Sequence, residues 1–117
     1  ENRIGRVGCV LLGEALARSM RALLLCDVGI HDDGLQALIA GMAYSIDLEV
    51  LYLSGNSMIT TTGLAALSAF FQSRNCSLRE LDLSYMNIGD DGMNCLVPGL
   101  ATLQSLRELG IGWNRFG

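Results

Sequence analysis

Three stretches of this chain carry the same short pattern, and a fourth carries a weaker copy of it. In the three clear copies, leucines occupy the first and fourth positions and an aliphatic residue occupies the sixth. The copies begin at Met20, Leu48, Leu78 and Leu106, so they follow one another at intervals of 28, 30 and 28 residues. A period of this length predicts a solenoid, in which units stack on their neighbours instead of packing around one globular core.

The residues within one unit predict a strand followed by a helix. Alternating aliphatic side chains, such as Leu51 and Leu53, have the two-residue period of a strand. After a turn, apolar residues recur at intervals of three and four, which is the stripe of a helix. Asp32, Thr61 and Asp90 each lie two residues before a glycine, and we expect them to cap these helices. The helical stripes include Leu35, Leu38, Ile39 and Met42 in one unit and Met93, Leu96, Val97 and Leu100 in another.

The whole pattern, L-x-x-L-x-L-x-x-N-x-I followed by a glycine and an apolar helical stripe, resembles the leucine-rich repeat. It is similar in particular to the long intracellular repeats of ribonuclease inhibitors, NOD-like receptors and Ran GTPase-activating proteins. The I-G-D-x-G turn of those families is matched by Ile30–Gly34 and Ile88–Gly92. The resemblance covers essentially the whole chain. It implies an α/β solenoid of about four repeats, a right-handed β-α superhelix with a parallel sheet on the concave face and helices on the convex face.

We expect a single leucine-rich repeat domain over residues 1–117. Asn2 and Asn114 hold the same motif position, so both ends of the sequence interrupt a repeat at the same phase. This favours a piece of a longer array, with end-to-end self-stacking of the matching ends as the minority alternative. The expected units are a partial repeat 1–19, repeats 20–47, 48–77 and 78–105, and a partial repeat 106–117.

The ninth motif position departs from the pattern in two units. Asparagine is usual there, because its side chain satisfies backbone groups of the turn. Asn2, Asn56 and Asn114 fill the position, whereas Val28 and Met86 do not.

Three further departures lead to local expectations. Asn87 lies one residue late, and we expect it to replace the missing asparagine in part through a shifted turn. An extra residue near Met58 and Ile59 predicts a local bulge. Pro98 lies inside the last predicted helix, where it removes a hydrogen bond, and it predicts a kink or a break.

The charge and hydropathy of the chain weigh against two classes of partner. The net charge is -4, from eight basic and twelve acidic residues, which argues against nucleic acid or an anionic membrane. No apolar run approaches the roughly 18 residues of a membrane span. The apolar segment from Val7 to Leu12 is short, and we expect it to form a buried helix.

The sequence predicts no catalytic residue, cofactor or metal site. Its four cysteines include no C-x-x-C pair, and His31, its one histidine, is expected to be a solvated turn residue. Cys9 and Cys95 lie more than two repeats apart, too far for a disulfide, so free thiols and a cytoplasmic location are expected. The pair Asp32–Asp33 recurs as Asp90–Asp91, which favours a structural role. We therefore expect a protein that is not an enzyme.

The outward side chains of the strands are expected to form a ladder on the concave face, which is the usual binding surface of a solenoid. Tyr85 and Trp113 hold the eighth position of neighbouring repeats and should be adjacent. Exposed Tyr, Trp and Arg dominate binding hot spots. Two alternatives are that the charges pair across strands and only solvate the face, and that Trp113 packs against a further repeat. The candidate partner-binding residues are Tyr52, Arg79, Asp82, Tyr85, Arg107 and Trp113.

These observations favour a protein-protein interaction scaffold that recognises another protein through its concave face. In NOD-like receptors, which the chain resembles, such arrays sense ligands or hold the protein inactive. One alternative is a fragment of a Ran-type GTPase-activating protein, although the loop residues that such an activity needs are not matched here. A second alternative is a structural subunit of a large assembly.

Overall fold

A computed structural model of the chain describes residues 5–16, 21–43, 47–73 and 76–114, with the side chains of residues 5–11 in the first of these ranges. Helices and strands alternate through the described residues. In chain order they are α1 (Gly5–Leu16), β1 (Ala22–Leu24), α2 (Asp32–Met42), β2 (Val50–Tyr52), α3 (Thr61–Gln72), β3 (Glu80–Asp82), α4 (Gly89–Leu100) and β4 (Glu108–Gly110).

The strands form one parallel sheet in the order β1-β2-β3-β4. Their central leucines pair in register, Leu23 with Leu51, Leu51 with Leu81, and Leu81 with Leu109. Paired residues are therefore 28, 30 and 28 positions apart, which is the period of the sequence pattern. The helices pack on one another in chain order. This is the α/β repeat solenoid that the sequence predicts.

The core lies between the sheet and the helices. Leu51 and Leu81, the central residues of β2 and β3, are 0% and 1% exposed. From the helices, Leu38, Leu67 and Leu96 are fully buried in the same cluster. Each unit thus covers its neighbour's apolar surface, and burial of this kind supplies most of the stability of a repeat array.

Asn56 joins two consecutive units through a buried side-chain amide that is 1% exposed. Its Oδ1 accepts hydrogen bonds from the backbone N–H groups of Val28 (3.2 Å) and Ile30 (3.1 Å). Its Nδ2 donates to the carbonyl oxygens of Leu25 (2.8 Å) and Leu53 (2.7 Å). The amide therefore completes the turn of the preceding unit, whose own ninth residue is Val28.

Asn114 repeats this arrangement two units later. Its Oδ1 accepts from the backbone N–H groups of Met86 (2.7 Å) and Ile88 (3.2 Å), and its Nδ2 donates to the carbonyl oxygen of Leu83 (2.8 Å). The buried amide in this turn is thus that of Asn114 rather than that of Asn87, which is exposed and has a left-handed φ of 57°. In both units whose ninth residue is apolar, the asparagine of the following unit therefore accepts the hydrogen bonds of the turn.

The helix caps differ from the prediction, which was wrong for Asp32, Thr61 and Asp90. All three residues lie in the first turn of a helix instead of at its N-cap. Of the three N-cap residues that the structure describes, Thr60 alone caps through its side chain, which accepts a hydrogen bond from the N–H of Thr62 at 3.2 Å. Asp32 instead links its unit to the next one, because its carboxylate accepts hydrogen bonds from the backbone N–H (2.8 Å) and the hydroxyl of Thr60. The described N-cap positions are those of His31, Thr60 and Ile88.

The extra residue and the proline are both accommodated close to helix ends. The loop before α3 contains Met58, which is 53% exposed, and Ile59, which is buried. Pro98 does not divide α4, because it lies in the last turn of the helix. The next residue, Gly99, allows close packing on α3: a β-carbon there would lie 2.6 Å from the Cα of Ser68, and the Gly99 N–H donates to Ser68 Oγ at 2.9 Å.

Apolar side chains at both ends of the described stack are more exposed than the sequence predicts. On α1, Val7 and Leu11 are 72% and 60% exposed and Cys9 is fully buried, so among residues 5–11 of this helix only one side is buried. At the other end, Val97 and Leu109 are 49% and 42% exposed. The physical reason is shared: within the described chain, α1 and the α4–β4 unit each have a neighbouring unit on one side only.

Candidate protein-binding face

The outward side chains of β2, β3 and β4, together with the residues flanking these strands, form a surface that we call the ladder face. The sheet register places Tyr52 beside Asp82 and Asp82 beside Gly110. The ladder face contains all six residues predicted to bind a partner. Two lie on strands, two precede strands and two follow them: Tyr52 and Asp82, Arg79 and Arg107, and Tyr85 and Trp113.

Tyr85 and Trp113 form an exposed aromatic pair on the ladder face. Their ring centroids are 5.8 Å apart and their planes differ by 12°, so the rings are stacked. Tyr85 is 57% exposed and Trp113 is 77% exposed. The predicted contact between the eighth positions of neighbouring repeats is therefore present, and both rings remain largely in water.

The backbone beneath these two rings is left-handed, with φ of 55° at Tyr85 and 60° at Trp113. The same motif position is left-handed at Asp27 (φ 53°) and Gly55 (φ 81°) in the two earlier units. Glycine adopts this conformation freely and aspartate tolerates it, whereas a bulky side chain pays about 1–2 kcal/mol. Strained residues of this kind concentrate at functional sites. Sequence reasoning missed the strain, although Gly55 and Asp27 at the equivalent positions were a signal for it.

The two arginines at the second motif position have different surroundings. Arg79 Nη1 lies 3.8 Å from Glu49 Oε1, and both side chains are partly exposed. An exposed pair at this distance contributes little stability, so the predicted alternative of cross-strand pairing applies to Arg79. Arg107 has no ion-pair partner among the residues that the structure describes.

Three carboxylates lie between the arginines and the aromatic rings. Glu80 and Glu108 are paired across β3 and β4, and like charges directly opposite each other are unfavourable. Asp82 Oδ1 accepts a hydrogen bond from the backbone N–H of Ser84 at 3.0 Å. Glu80 and Glu108 were not among the six predicted residues, although their shared third motif position places them on this face.

The hydroxyl of Tyr52 donates a hydrogen bond to Glu80 Oε1 at 2.5 Å. This bond, followed by partial burial and the negative charges of Glu80, Glu108 and Asp82, raises the pKa of Tyr52 to about 12. The phenol is therefore a hydrogen-bond donor fixed on Glu80 throughout the physiological range of pH. Tyr52 orients one of the three carboxylates instead of presenting a free hydroxyl.

A shallow cleft of about 180 Å³ opens among these carboxylates. Gly110 forms part of its floor, because a β-carbon there would lie 2.6 Å from Asp82 Oδ1 and 3.2 Å from Ser84 Oγ. A larger residue at this position would displace the Asp82 carboxylate. The lining residues are Tyr52, Glu80, Leu81, Asp82, Glu108 and Gly110.

We expect the phenol of Tyr52 to ionise near pH 12, above its ordinary pKa of 10.0. Because the folded pKa is raised, the stabilising contribution of this hydrogen bond is complete below the ordinary pKa and is lost as pH rises through the folded pKa. The measurement is phenolate absorbance during alkaline titration, with Tyr52→Phe identifying the transition. Glu80→Gln should lower the pKa more than Glu108→Gln, since Glu108 acts through charge alone. Equal effects of the two variants would contradict this assignment.

Other chemistry-bearing residues are scattered. Burial, followed by the charge of Asp33, raises the pKa of the Cys9 thiol. Cys26 is exposed, and its sulfur accepts a hydrogen bond from Ser54 Oγ at 3.1 Å. Among the described residues, no group of three or more histidine, cysteine or acidic side chains is placed to hold a metal ion. The described helices also include none that is both long and apolar enough to cross a membrane.

Comparison with known proteins identifies the family of the repeats. A family described as Leucine Rich repeat matches residues 44–68 and 74–97. The mouse protein "NACHT, LRR and PYD domains-containing protein 5" is 32% identical over 120 aligned positions that cover 100% of this chain. The chain is a leucine-rich repeat protein. Its repeats are of the long type found in NOD-like receptors and ribonuclease inhibitors.

Two further proteins are similar to this leucine-rich repeat chain. The chicken (Gallus gallus) "Leucine-rich repeat-containing protein 45" is 30% identical over 111 positions, or 92% of the chain. The "Protein phosphatase 1 regulatory subunit 37 homolog" of Caenorhabditis briggsae is 29% identical over 112 positions, or 91% of the chain. The chain spans 10%, 16% and 12% of the length of the three relatives, in the order given.

Proposed function

We propose that this leucine-rich repeat chain is a recognition module that binds another protein through its ladder face. The observation that carries the proposal is the exposed stack of Tyr85 and Trp113 on left-handed backbone. Two aromatic rings in water, at a position where glycine is less strained, are retained at a cost to stability. Tyrosine and tryptophan are also enriched among the residues that dominate binding energy.

The relatives support a scaffold role in coarse terms. One is named as a regulatory subunit of a phosphatase, and another is named for NACHT and PYD domains in addition to its repeats. These names belong to proteins much longer than this chain. A receptor-like role is proposed from the similarity to the protein named for NACHT and PYD domains. A GTPase activator and a structural subunit of a large assembly are the alternatives, and the identity of the captured partner would distinguish among the three.

The experiment is capture of partners from lysate of cells that express the chain, using three baits. The wild-type chain is compared with a Tyr85→Gly/Trp113→Gly double variant, which removes the rings without straining the backbone. Val97→Ala, an exposed apolar truncation on α4, is the matched control on the helical side. A protein retained by the wild type and by Val97→Ala but lost with the double variant is the expected result. Equal recovery by all three baits would contradict the proposal.

We expect Trp113→Gly to be more stable than Trp113→Ala by about 1 kcal/mol, because alanine keeps the strain of the left-handed backbone and glycine does not. Both variants lose the ring, so the comparison isolates the backbone. The measurement is urea unfolding of the two variants. At Gln36, an exposed position within α2, the same comparison should reverse, with glycine less stable than alanine. A less stable glycine variant at both positions would show that residue 113 is not strained.

Two coarser parts of the proposal have tests of their own. We place the chain in the cytoplasm, because the exposed Cys26 suits a reducing compartment; imaging of a tagged chain tests this location.

End-to-end self-stacking is supported by the 42% exposure of Leu109 on β4, which pairs with β3 alone among the strands that the structure describes. Sedimentation should then show concentration-dependent association that Leu109→Glu abolishes. A monomer at all concentrations would contradict self-stacking.

A further inference from the structure

We propose that the ladder face docks an arginine-bearing segment of the partner protein, with the guanidinium group held between the Tyr85–Trp113 stack and the carboxylates of Glu80, Asp82 and Glu108. This inference deepens the proposed function and rests on it, since it names the chemistry that the face accepts. Two independent features carry it: an exposed aromatic stack and a local excess of negative charge.

The charge of the cleft favours a cation. Three carboxylates and no basic side chain line the cleft, and none of the three has a salt-bridge partner among the described residues. Glu80 and Glu108 face each other directly across the strands. A cation placed between them would relieve their repulsion, so the free face is electrostatically complementary to a positively charged partner.

The aromatic stack favours a guanidinium over other cations. Arginine stacks on the face of an aromatic ring through its planar group, and tryptophan is the strongest partner for such contacts. The same group presents a fork of N–H donors that matches a carboxylate such as Asp82. Lysine offers one compact, strongly hydrated charge, so it would use the carboxylates but gain less from the rings.

The shape of β4 leaves room for such a segment. Gly110 on β4 and Gly112 just after it separate Glu108 from Trp113 along the chain, and a β-carbon at Gly112 would touch nothing within 4 Å. The Asp82 carboxylate lies over Gly110, so a partner side chain can lie against the open backbone at Gly112, between this carboxylate and the ring of Trp113. A larger residue at Gly110 would displace Asp82 and close this path.

The arginines of the ladder face set the direction of the partner. Arg79 and Arg107 line a neighbouring cleft together with Glu80 and Glu108, whereas Asp82 lies about 10 Å of extended chain further toward the aromatic rings. The two arginines would repel a cation placed at their end of the face and attract an acidic group there. The guanidinium is thus directed toward the aromatic end, because misplaced like charges disfavour the reversed orientation.

The test titrates the 117-residue chain with the blocked pentapeptide Gly-Arg-Gly-Arg-Gly and follows the fluorescence of Trp113, the single tryptophan. Peptides with lysine, glutamine or glutamate in place of arginine are compared. We expect a saturable change with arginine, binding about three- to tenfold weaker with lysine, and no saturable change with glutamine or glutamate. Binding of the arginine peptide should weaken as salt rises, since the carboxylates are exposed to screening.

Two double variants distinguish the carboxylates of the cleft from the net charge of the chain. Asp82→Asn/Glu108→Gln should weaken arginine-peptide binding about tenfold, whereas Asp33→Asn/Asp91→Asn, which removes the same charge from the helices, should leave it unchanged. Equal weakening by both pairs, equal response to the glutamine peptide, or no response to the arginine peptide would each overturn the inference. The proposed function fails separately, when partner capture is insensitive to Tyr85→Gly/Trp113→Gly.

Discussion

Replacing Asn56 with alanine is expected to lower the free energy of unfolding by about 3–5 kcal/mol. The amide is 1% exposed and makes four hydrogen bonds, two as acceptor and two as donor. Its removal leaves the buried N–H of Ile30 and the carbonyls of Leu25 and Leu53 without this partner, and unsatisfied buried groups cost more than the bonds themselves contribute. Urea unfolding monitored by circular dichroism measures the change.

Matched variants show whether the loss of stability comes from the buried amide of Asn56 or from replacing an asparagine at any position. Asn94→Ala, at an exposed position in α4, should change stability by less than about 0.5 kcal/mol or raise it slightly, because alanine is the better helix former. Asn56→Asp should remain strongly destabilised, since it keeps the acceptor, loses the donor and buries a charge. Stability within 1 kcal/mol of wild type in Asn56→Ala would mean that water replaces the amide.

The second large effect is expected for Leu81→Ala, which should cost about 2–5 kcal/mol. Leu81 is 1% exposed at the centre of β3, between the paired leucines of β2 and β4. Leu109→Ala, at the same motif position, removes the same atoms from a side chain that is 42% exposed. It should cost less than half as much, because less surface leaves water and the cavity is open to solvent. Equal losses would indicate that the outer strand is covered in solution.

The strand register was predictable because the sequence pattern reports on both the period and the inward face. Leu51 and Leu81 fix which side chains point to the core, and a period of two then fixes the others. The contact of Tyr85 with Trp113 follows from the same register, since residues at equal motif positions must be neighbours in a parallel stack. These predictions needed no knowledge of side-chain conformation.

The remaining features depend on where side chains reach between units, which a one-dimensional pattern does not encode. Asp32 was interpreted as a cap of its own helix, but its carboxylate bonds Thr60 one unit later. Three of the four hydrogen-bond partners of Asn56 likewise lie in the preceding unit. The strain at Tyr85 was hidden because φ is set by the turn, while the aromatic residue type suggests ordinary extended backbone.

The buried asparagines have a consequence for how such a chain can be copied in a gene. Asn56 and Asn114 stand 58 residues apart, and each serves its own unit and the one before it. Duplication of a single apolar-type unit, such as the one containing Val28, would create a turn with no amide to follow it. Duplication of 58 residues keeps every turn bonded. A unit whose ninth residue is apolar can therefore be repeated without loss of these hydrogen bonds only together with the asparagine unit that follows it.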